Sequence, residues 1–160
     1  MGAGWFCGAG RRNWNGWWAL APALAIALLT LLRIAVTSGI DADESEHLHL
    51  AFAIARNVMP YRELGQNHAP LLWILTSPLL SLLPESPYVV LVFRALCLAS
   101  FAGSIALACR LSKRLLPGGA YQTPLCVVLG LAYATQAEFY RFRPDTFMNT
   151  LALASLYLLV

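Results

Sequence analysis

Most of the residues able to do acid–base chemistry in this sequence lie in one stretch, from Asp41 to Pro70. The stretch holds five of the eight acidic residues and all three histidines. Apolar segments precede and follow it, so we expect it to emerge from a membrane on one side. Ionisable groups held against a bilayer are costly, and those that remain there are functional candidates. We therefore interpret the stretch as half of an active site, held at the membrane surface by the rest of the chain.

The first candidates in this stretch are the adjacent acids Asp43 and Glu44. A carboxylate at a membrane surface can act as general base on an acceptor hydroxyl group. A plainer role is also open, because Asp41-x-x-Glu44 and Asp43-x-x-Glu46 both fit an acidic capping pattern at a helix start. A single residue is enough to cap a helix start, however, and this segment holds four acidic residues between positions 41 and 46. The excess favours a catalytic role for Asp43, with Glu44 beside it.

Two further groups have side chains suited to an anionic substrate. His68 follows Arg62 in the same stretch, and its imidazole could donate a hydrogen bond or a positive charge. Arg141 and Arg143 could clamp a phosphate, since guanidinium groups bind phosphate oxygens with directed, charge-assisted bonds. An interfacial anchor fits these two arginines equally well, with Asp145 as the N-cap of the next helix.

The composition indicates an all-α integral membrane protein. The chain is 59% hydrophobic and 12% charged, whereas soluble domains carry about 25% charged residues. Its net charge of +3 is small and scattered, which excludes nucleic acid as a partner and leaves membrane lipids. The cysteines show no C-x-x-C spacing, so we interpret them as small buried hydrophobic residues.

The apolar runs predict four spanning helices of one transmembrane domain, at about 17–37, 88–109, 121–139 and 146–160. Amphipathic interfacial helices are predicted at about 42–57 and 71–83, and the second is too short to span. Arg94, inside an apolar run, needs a partner or an interface to reach, and both structural snorkelling and contact with a lipid phosphate are open. The last run ends without a polar flank, so we expect the sequence to be the N-terminal part of a longer protein.

The basic residues predict the orientation of the chain in a bacterial cytoplasmic membrane. Arg11 and Arg12 precede the first helix and place the N-terminus in the cytoplasm. A cleaved signal peptide is the alternative, but the first helix is longer than a usual signal core. If the segment 71–83 does not span, Lys113 faces the cytoplasm and the loop with Asp145 lies outside, in an extracytoplasmic region shared with the acidic stretch.

The motifs also follow one another in a definite order. An Asp43-Glu44 pair opens an amphipathic helix, a turn follows at Met59–Arg62, His68-x-Pro70 starts a short helix, and Arg143-Pro144-Asp145 precedes a later span. This order resembles the N-terminal region of GT-C class membrane glycosyltransferases. Among these, the motif order is most similar to that of bacterial relatives of the protein O-mannosyltransferases and lipid A aminoarabinose transferases. The resemblance covers nearly the whole chain.

The resemblance implies an enzyme that transfers a sugar, with inversion, from a polyprenyl-phosphate carrier to an acceptor outside the membrane. Asp43 matches the catalytic acid of the family's D-E motif, and Asp41 is extra to the pattern. His68 matches a basic position before the Pro-Leu segment, and Asp145 matches an acid facing the same cavity. Some relatives bind a divalent metal ion, but the sequence shows no closed ligand set. Relatives have several hundred residues, so we expect this chain alone to lack most of the carrier cavity and to be inactive.

Two other functions are compatible with the sequence. One is a non-catalytic small helical membrane protein or enzyme remnant. The other is a transporter fragment in which Asp43 and His47 relay protons. No discontinuous spanning helix with a buried acid supports the relay.

The predicted topology is testable by labelling single cysteines in a background without native cysteines. A reagent confined to the outside should label Asp43→Cys, His68→Cys and Asp145→Cys but not Lys113→Cys, because basic loops stay in the cytoplasm. Labelling of Lys113→Cys without Asp145→Cys would contradict the arrangement.

Overall fold

The computed structural model describes residues 17–63, 70–116, 122–137 and 139–160. Within these ranges helix is the only regular secondary structure, which confirms the all-α prediction. The helices in chain order are α1 Trp17–Thr37, α2 Ala42–Ala55, α3 Pro60–Glu63, α4 Leu71–Leu82, α5 Val89–Leu115, α6 Gln122–Ala137 and α7 Pro144–Leu159. Two features differ from expectation: α3 was not predicted, and α5 continues to Leu115, past the predicted end at 109.

Helix α2 begins and ends at residues suited to those positions. Asp41 is its N-cap, in extended backbone conformation, and its side chain accepts a hydrogen bond from the N–H of Glu44 at 2.7 Å. Such a bond satisfies one of the amide groups that a helix start leaves open. After the C-cap at Arg56, Asn57 adopts a positive φ of 64°. Asparagine is among the residues that tolerate this left-handed conformation, which commonly ends a helix.

Helices α2 and α4 pack against each other and contribute to the larger of two buried core clusters. Trp73 of α4 is completely buried, and its indole N–H donates to Nδ1 of His47 at 3.1 Å. The core cluster around this contact comprises Leu48, Leu50, Ala51, Trp73, Leu80, Val89, Val90, Phe93, Cys97 and Phe142. It therefore joins α2 and α4 to the first turns of α5 and to the loop before α7.

Helices α5 and α7 run parallel, as their side-chain contacts show at two levels. Near one end, the hydroxyl groups of Ser100 and Thr150 lie 2.8 Å apart. Near the other end, Arg114 donates to the carbonyl oxygen of Tyr157 at 3.1 Å. The connection between two parallel helices must return along the molecule, and α6 provides it.

Helix α6 lies antiparallel to α5, so the loop that follows it returns to the N-terminal end of α5. Gly130 of α6 faces Ile105 of α5, and Phe139, beyond the end of α6, stacks on Phe101 with ring centroids 5.0 Å apart. Leu31 of α1 completes this second apolar cluster. The loop of residues 139–143 is thereby brought to the junction between α1 and α2.

One helix in the described ranges meets the length and composition of a membrane span, and it is α5, with 27 residues. Ala21–Thr37 and Ala42–Ala55 pass the same test only as a pair, bent by 67° at the break. Helix α4 has 12 residues, which is about 18 Å of helix against a hydrocarbon core of about 30 Å. The structure thus gives one candidate span, or two if the bent pair is a single broken span.

The first turn of α7 departs from the sequence-based interpretation. Arg143 occupies the N-cap position in extended conformation, and Pro144 is the first helical residue. Proline is well suited there because its missing N–H would have no partner in the helix. Asp145 is consequently a residue of the first turn and not the cap.

The close approach of α5 and α6 gives a stability test. A Cβ atom at Gly130 would lie 2.8 Å from Cγ1 of Ile105, whereas one at Gly103 would lie 3.8 Å from Cγ2 of Thr150. We expect Gly130→Ala to lower the free energy of unfolding by about 1–3 kcal/mol through overpacking. The matched Gly103→Ala should be neutral or stabilising, because alanine favours helix. Denaturant titration in micelles measures both, and equal effects would contradict the packing.

Candidate active site

A buried ion pair between Glu44 and Arg94 lies where α1, α2, α5 and the loop before α7 meet. Nε of Arg94 donates to Oε1 of Glu44 at 2.9 Å, and its NH2 group donates to Oε2 at 2.6 Å. The two side chains are 0% and 2% exposed. Two parallel bonds of this kind give the pair directional specificity as well as charge neutrality.

The same guanidinium group also binds the end of α1. Arg94 donates to the carbonyl oxygens of Ala35 at 2.7 Å, Ser38 at 2.9 Å and Gly39 at 2.9 Å. A helix leaves its last carbonyl groups without partners, and a positive charge there is favoured by the helix dipole. Of the alternatives that the sequence left open for Arg94, the structure shows a partner inside the protein, at the end of α1 and on α2.

Glu44 extends this network to the loop before α7. Its Oε1 accepts the backbone N–H of Phe142 at 3.2 Å, and the Phe142 side chain is fully buried against Phe93. Glu44 thus has bonds to α5 and to the loop while it sits in the first turn of α2. The Glu44 side chain is 0% exposed, and its described bonds are all to groups within the protein.

A second charged cluster lies nearer the surface and contains the predicted arginine pair. Oδ2 of Asp41 is 2.8 Å from NH1 of Arg141 and 2.5 Å from NH2 of Arg143. The same NH2 group is 3.3 Å from Oδ2 of Asp43. Asp43 is 62% exposed, and Asp41 is 24% exposed. The structure therefore places Asp43 next to Arg143, and Asp41 joins both arginines.

Asp41 is held in its charged form by these neighbours. Partial burial alone would raise the pKa of Asp41, but the N–H of Glu44 and the guanidinium groups of Arg143 and Arg141 outweigh it, and the pKa lies below its usual value. A carboxylate with a lowered pKa contributes stability that is complete above the ordinary value of 3.8. This contribution is lost as the pH falls through the lower value of the folded state.

The remaining predicted site residues lie at different places. Arg62 is exposed on α3, and His68 lies outside the described residues. Asp145 is exposed in the first turn of α7 and lines a cavity of about 320 Å³ together with Arg143 and Asn149. Asp145 and Arg143 are therefore on one cavity wall, while Arg62 has no described contact with the cluster.

His47 lies in the core, in contrast to the exposed Asp43. His47 is 5% exposed, and its Nδ1 accepts a hydrogen bond from the Trp73 N–H. Its ring is nearly perpendicular to that of Phe142, with the ring centroids 6.5 Å apart. Acceptance at Nδ1 places the proton of a neutral ring on Nε2. This arrangement is that of a core histidine that links α2 to α4.

Two larger cavities are almost wholly apolar. One, of about 590 Å³, lies between α5, α6 and α7, and it shares Tyr133, Phe139 and Asn149 with the polar cavity beside Arg143. The other, of about 610 Å³, lies between α4, α5 and α7. In the described ranges no group of three or more His, Cys, Asp or Glu side chains is placed to hold a metal ion.

Sequence reasoning missed two members of the site, Arg94 and Asp41. An arginine in an apolar run signals a buried partner, but several acids were available and the sequence does not say which is near. Asp41 is extra to the family pattern, and the spacing to Glu44 indicates only its capping position.

Comparison of the chain with protein-family models, with curated proteins and with solved structures gave no match. The resemblance to GT-C glycosyltransferases rests on the motifs in the sequence.

The charged cluster predicts a pH-dependent effect of Asp41→Asn. Asparagine keeps a capping oxygen but loses the negative charge between two arginines. We expect the free energy of unfolding at pH 7 to fall by about 1–2 kcal/mol, since charge-assisted bonds are lost at a partly exposed site. At pH 3, below the ordinary value of 3.8, the difference from the wild type should shrink, because the unfolded wild-type chain then binds a proton at Asp41 and the stability gained from the charged carboxylate falls.

The measurement is denaturant titration in micelles at both pH values. Glu46→Gln is the matched control, because Glu46 is an exposed acid on the same helix. An equally large effect of Asp41→Asn at both pH values would contradict the ion pairs.

Proposed function

We propose that this protein is a glycosyltransferase that moves a sugar from a polyprenyl-phosphate carrier to an acceptor on the extracytoplasmic side of the membrane. The observation that carries the proposal is the exposed carboxylate of Asp43 standing 3.3 Å from the guanidinium group of Arg143. A general base and a phosphate-binding cation in one cluster are the two functions that such a transfer requires. The order of the sequence motifs supports the same reaction.

Asp43 is the general base in this proposal because it is the accessible member of the acid pair. At 62% exposure its carboxylate can meet an acceptor hydroxyl, whereas Glu44 is fully buried. Asp43 takes the hydroxyl proton as the acceptor oxygen attacks the anomeric carbon. The bond from that carbon to the carrier phosphate breaks, and its electron pair leaves with the phosphate oxygen. Attack from the face opposite the leaving group inverts the configuration.

Arg143 and Arg141 stabilise the charge on the leaving phosphate. Both now contact Asp41, so the cluster of two arginines with Asp41 and Asp43 is balanced in charge. An arriving phosphate gains directed bonds by replacing Asp41 at the guanidinium groups. Arg62 and His68 are proposed as further donors to the same phosphate.

The cavities in the described part of the chain offer room for the sugar and for a portion of the carrier's isoprenoid chain. The 320 Å³ cavity beside Arg143 and Asp145 has polar walls suited to a sugar. The apolar 590 Å³ groove between α5, α6 and α7 adjoins it through Tyr133 and Phe139 and suits an isoprenoid chain. A divalent metal ion is not part of this proposal.

In the proposal the protein spans a bacterial cytoplasmic membrane several times, with a cytoplasmic N-terminus. The apolar side chains of the outer helices support this, since Leu29 of α1 is 65% exposed and Leu158 of α7 is 83% exposed. Soluble proteins rarely expose large contiguous apolar surfaces. Arg114 lies twenty positions after Arg94 on α5, about 30 Å along the helix, so the basic end of α5 is opposite the charged cluster.

A second candidate is a non-catalytic helical membrane protein. The observation that favours it is the complete pairing of Asp41 with Arg141 and Arg143, which serves to dock the loop before α7 onto α2. In that case Asp43 would be a member of a structural ion-pair cluster.

The test is Asp43→Asn in protein expressed from its complete reading frame and assayed in native membranes with radiolabelled polyprenyl-phosphate sugars. We expect transfer to fall about a hundred- to ten-thousand-fold, because asparagine cannot accept the proton. Yield and folding should be unchanged, since Asp43 is largely exposed.

Glu46→Gln is the control, as another exposed acid in the first part of α2, and it should transfer at the wild-type rate. Equal rates for Asp43→Asn and wild type, or no transfer by the wild type with any carrier sugar, would favour the non-catalytic candidate.

A further inference from the structure

We propose that Arg94 and Glu44 are positioning residues, which set the distance between the base Asp43 and the phosphate-binding arginines without touching substrate. The inference rests on the function proposed above, and it assigns a role to a residue pair inside the protein that the chemistry itself does not use. The pair is termed the clasp below.

The clasp is next to both the base and the arginines of the site, either along the chain or through one hydrogen bond. Asp43 immediately precedes Glu44 on α2. Arg141 and Arg143 flank Phe142, whose N–H is bound by the Glu44 carboxylate at 3.2 Å. One carboxylate group therefore fixes the backbone next to the base and the backbone next to the arginines.

Arg94 supplies the rigidity of this arrangement. Its guanidinium group donates to both oxygens of Glu44. It also donates to the carbonyl oxygen of Ala35 in the last turn of α1 and to those of Ser38 and Gly39 just after it. The planar guanidinium presents its donors in a fixed fork. The orientation of the Glu44 carboxylate is therefore set by a group that is itself fixed to two other elements.

Burial excludes direct participation of the clasp in the reaction. Arg94 is 2% exposed and Glu44 is 0% exposed, so neither reaches a substrate while the fold is intact. A displacement of about 1 Å at a reacting group can reduce a rate about a hundredfold. Loosening the clasp is therefore expected to reduce the rate of transfer in protein that is still folded.

The experiment compares three variants: Arg94→Lys, the double variant Glu44→Gln/Arg94→Gln, and Arg110→Gln as a control on an exposed arginine of α5. The double variant removes both buried charges together, so it avoids the unpaired buried charge that would unfold a single variant. Lysine at position 94 keeps the positive charge but lacks the planar guanidinium group that binds both oxygens of Glu44.

Two readouts are recorded for each variant. One is kcat per folded molecule, in protein from the complete reading frame with the polyprenyl-phosphate sugar used for the wild type. The other is the distance distribution between spin labels on Ser45→Cys and Met148→Cys, which lie at exposed positions of α2 and α7. The labels are placed in a background without native cysteines.

We expect the double variant to fold, to give a broadened distribution between the labels and to lose about a hundredfold in kcat. Arg94→Lys should lie between it and the wild type in both readouts, and Arg110→Gln should match the wild type. A clasp that only stabilised the fold would lower the yield but leave kcat per folded molecule unchanged.

A narrow distribution with wild-type kcat in the double variant would overturn the positioning role. A narrow distance distribution between the labels together with a lowered kcat in the double variant would also overturn the positioning role, because the rate would then fall without any displacement. If the wild type itself shows no transfer, the proposed function fails, and the label distances alone then decide whether the clasp positions α2 against α7.

Discussion

The arrangement of this protein depends on one buried ion pair, between Glu44 and Arg94. Two opposite charges in an apolar surrounding tolerate little displacement, because separation leaves each of them desolvated without its partner. The pair also satisfies carbonyl groups at the end of α1 and an amide group before α7. Four parts of the chain that are distant in sequence thus meet at one point. The surface cluster adjoins this point along the chain, because Asp43 precedes Glu44 and the two arginines flank Phe142.

Three acids within four residues have three different environments, which explains how one short segment can combine structure and chemistry. Asp41 caps α2 and is paired with both arginines. Glu44 is buried in the clasp, and Asp43 alone is mostly exposed. Successive residues of a helix point about 100° apart, so adjacent acids necessarily face different surroundings. The exposed acid is held in place by the two that are engaged.

The parallel course of α5 and α7 has a direct consequence for the site. Because α6 returns the chain to the N-terminal end of α5, the loop with Arg141 and Arg143 reaches the start of α2. The short α4 keeps this end of the molecule covered by packing Trp73 on His47. Polar groups are gathered at that end, and Arg114 lies at the other.

The sequence by itself determined the helical class, the position of the charged stretch and the capping spacing of Asp41 to Glu44, because local hydrophobic patterning and helix-start chemistry act over a few residues. It also marked Arg94 as a charge in need of a partner, and it grouped Asp43 with Arg141 and Arg143 as site candidates. Only the tertiary structure decided that Glu44 is the partner of Arg94, that Asp41 joins the arginines and that His47 is a core residue. Each of these depends on contacts between segments 26 to 102 positions apart, and no local pattern records which of several neighbouring acids turns inward.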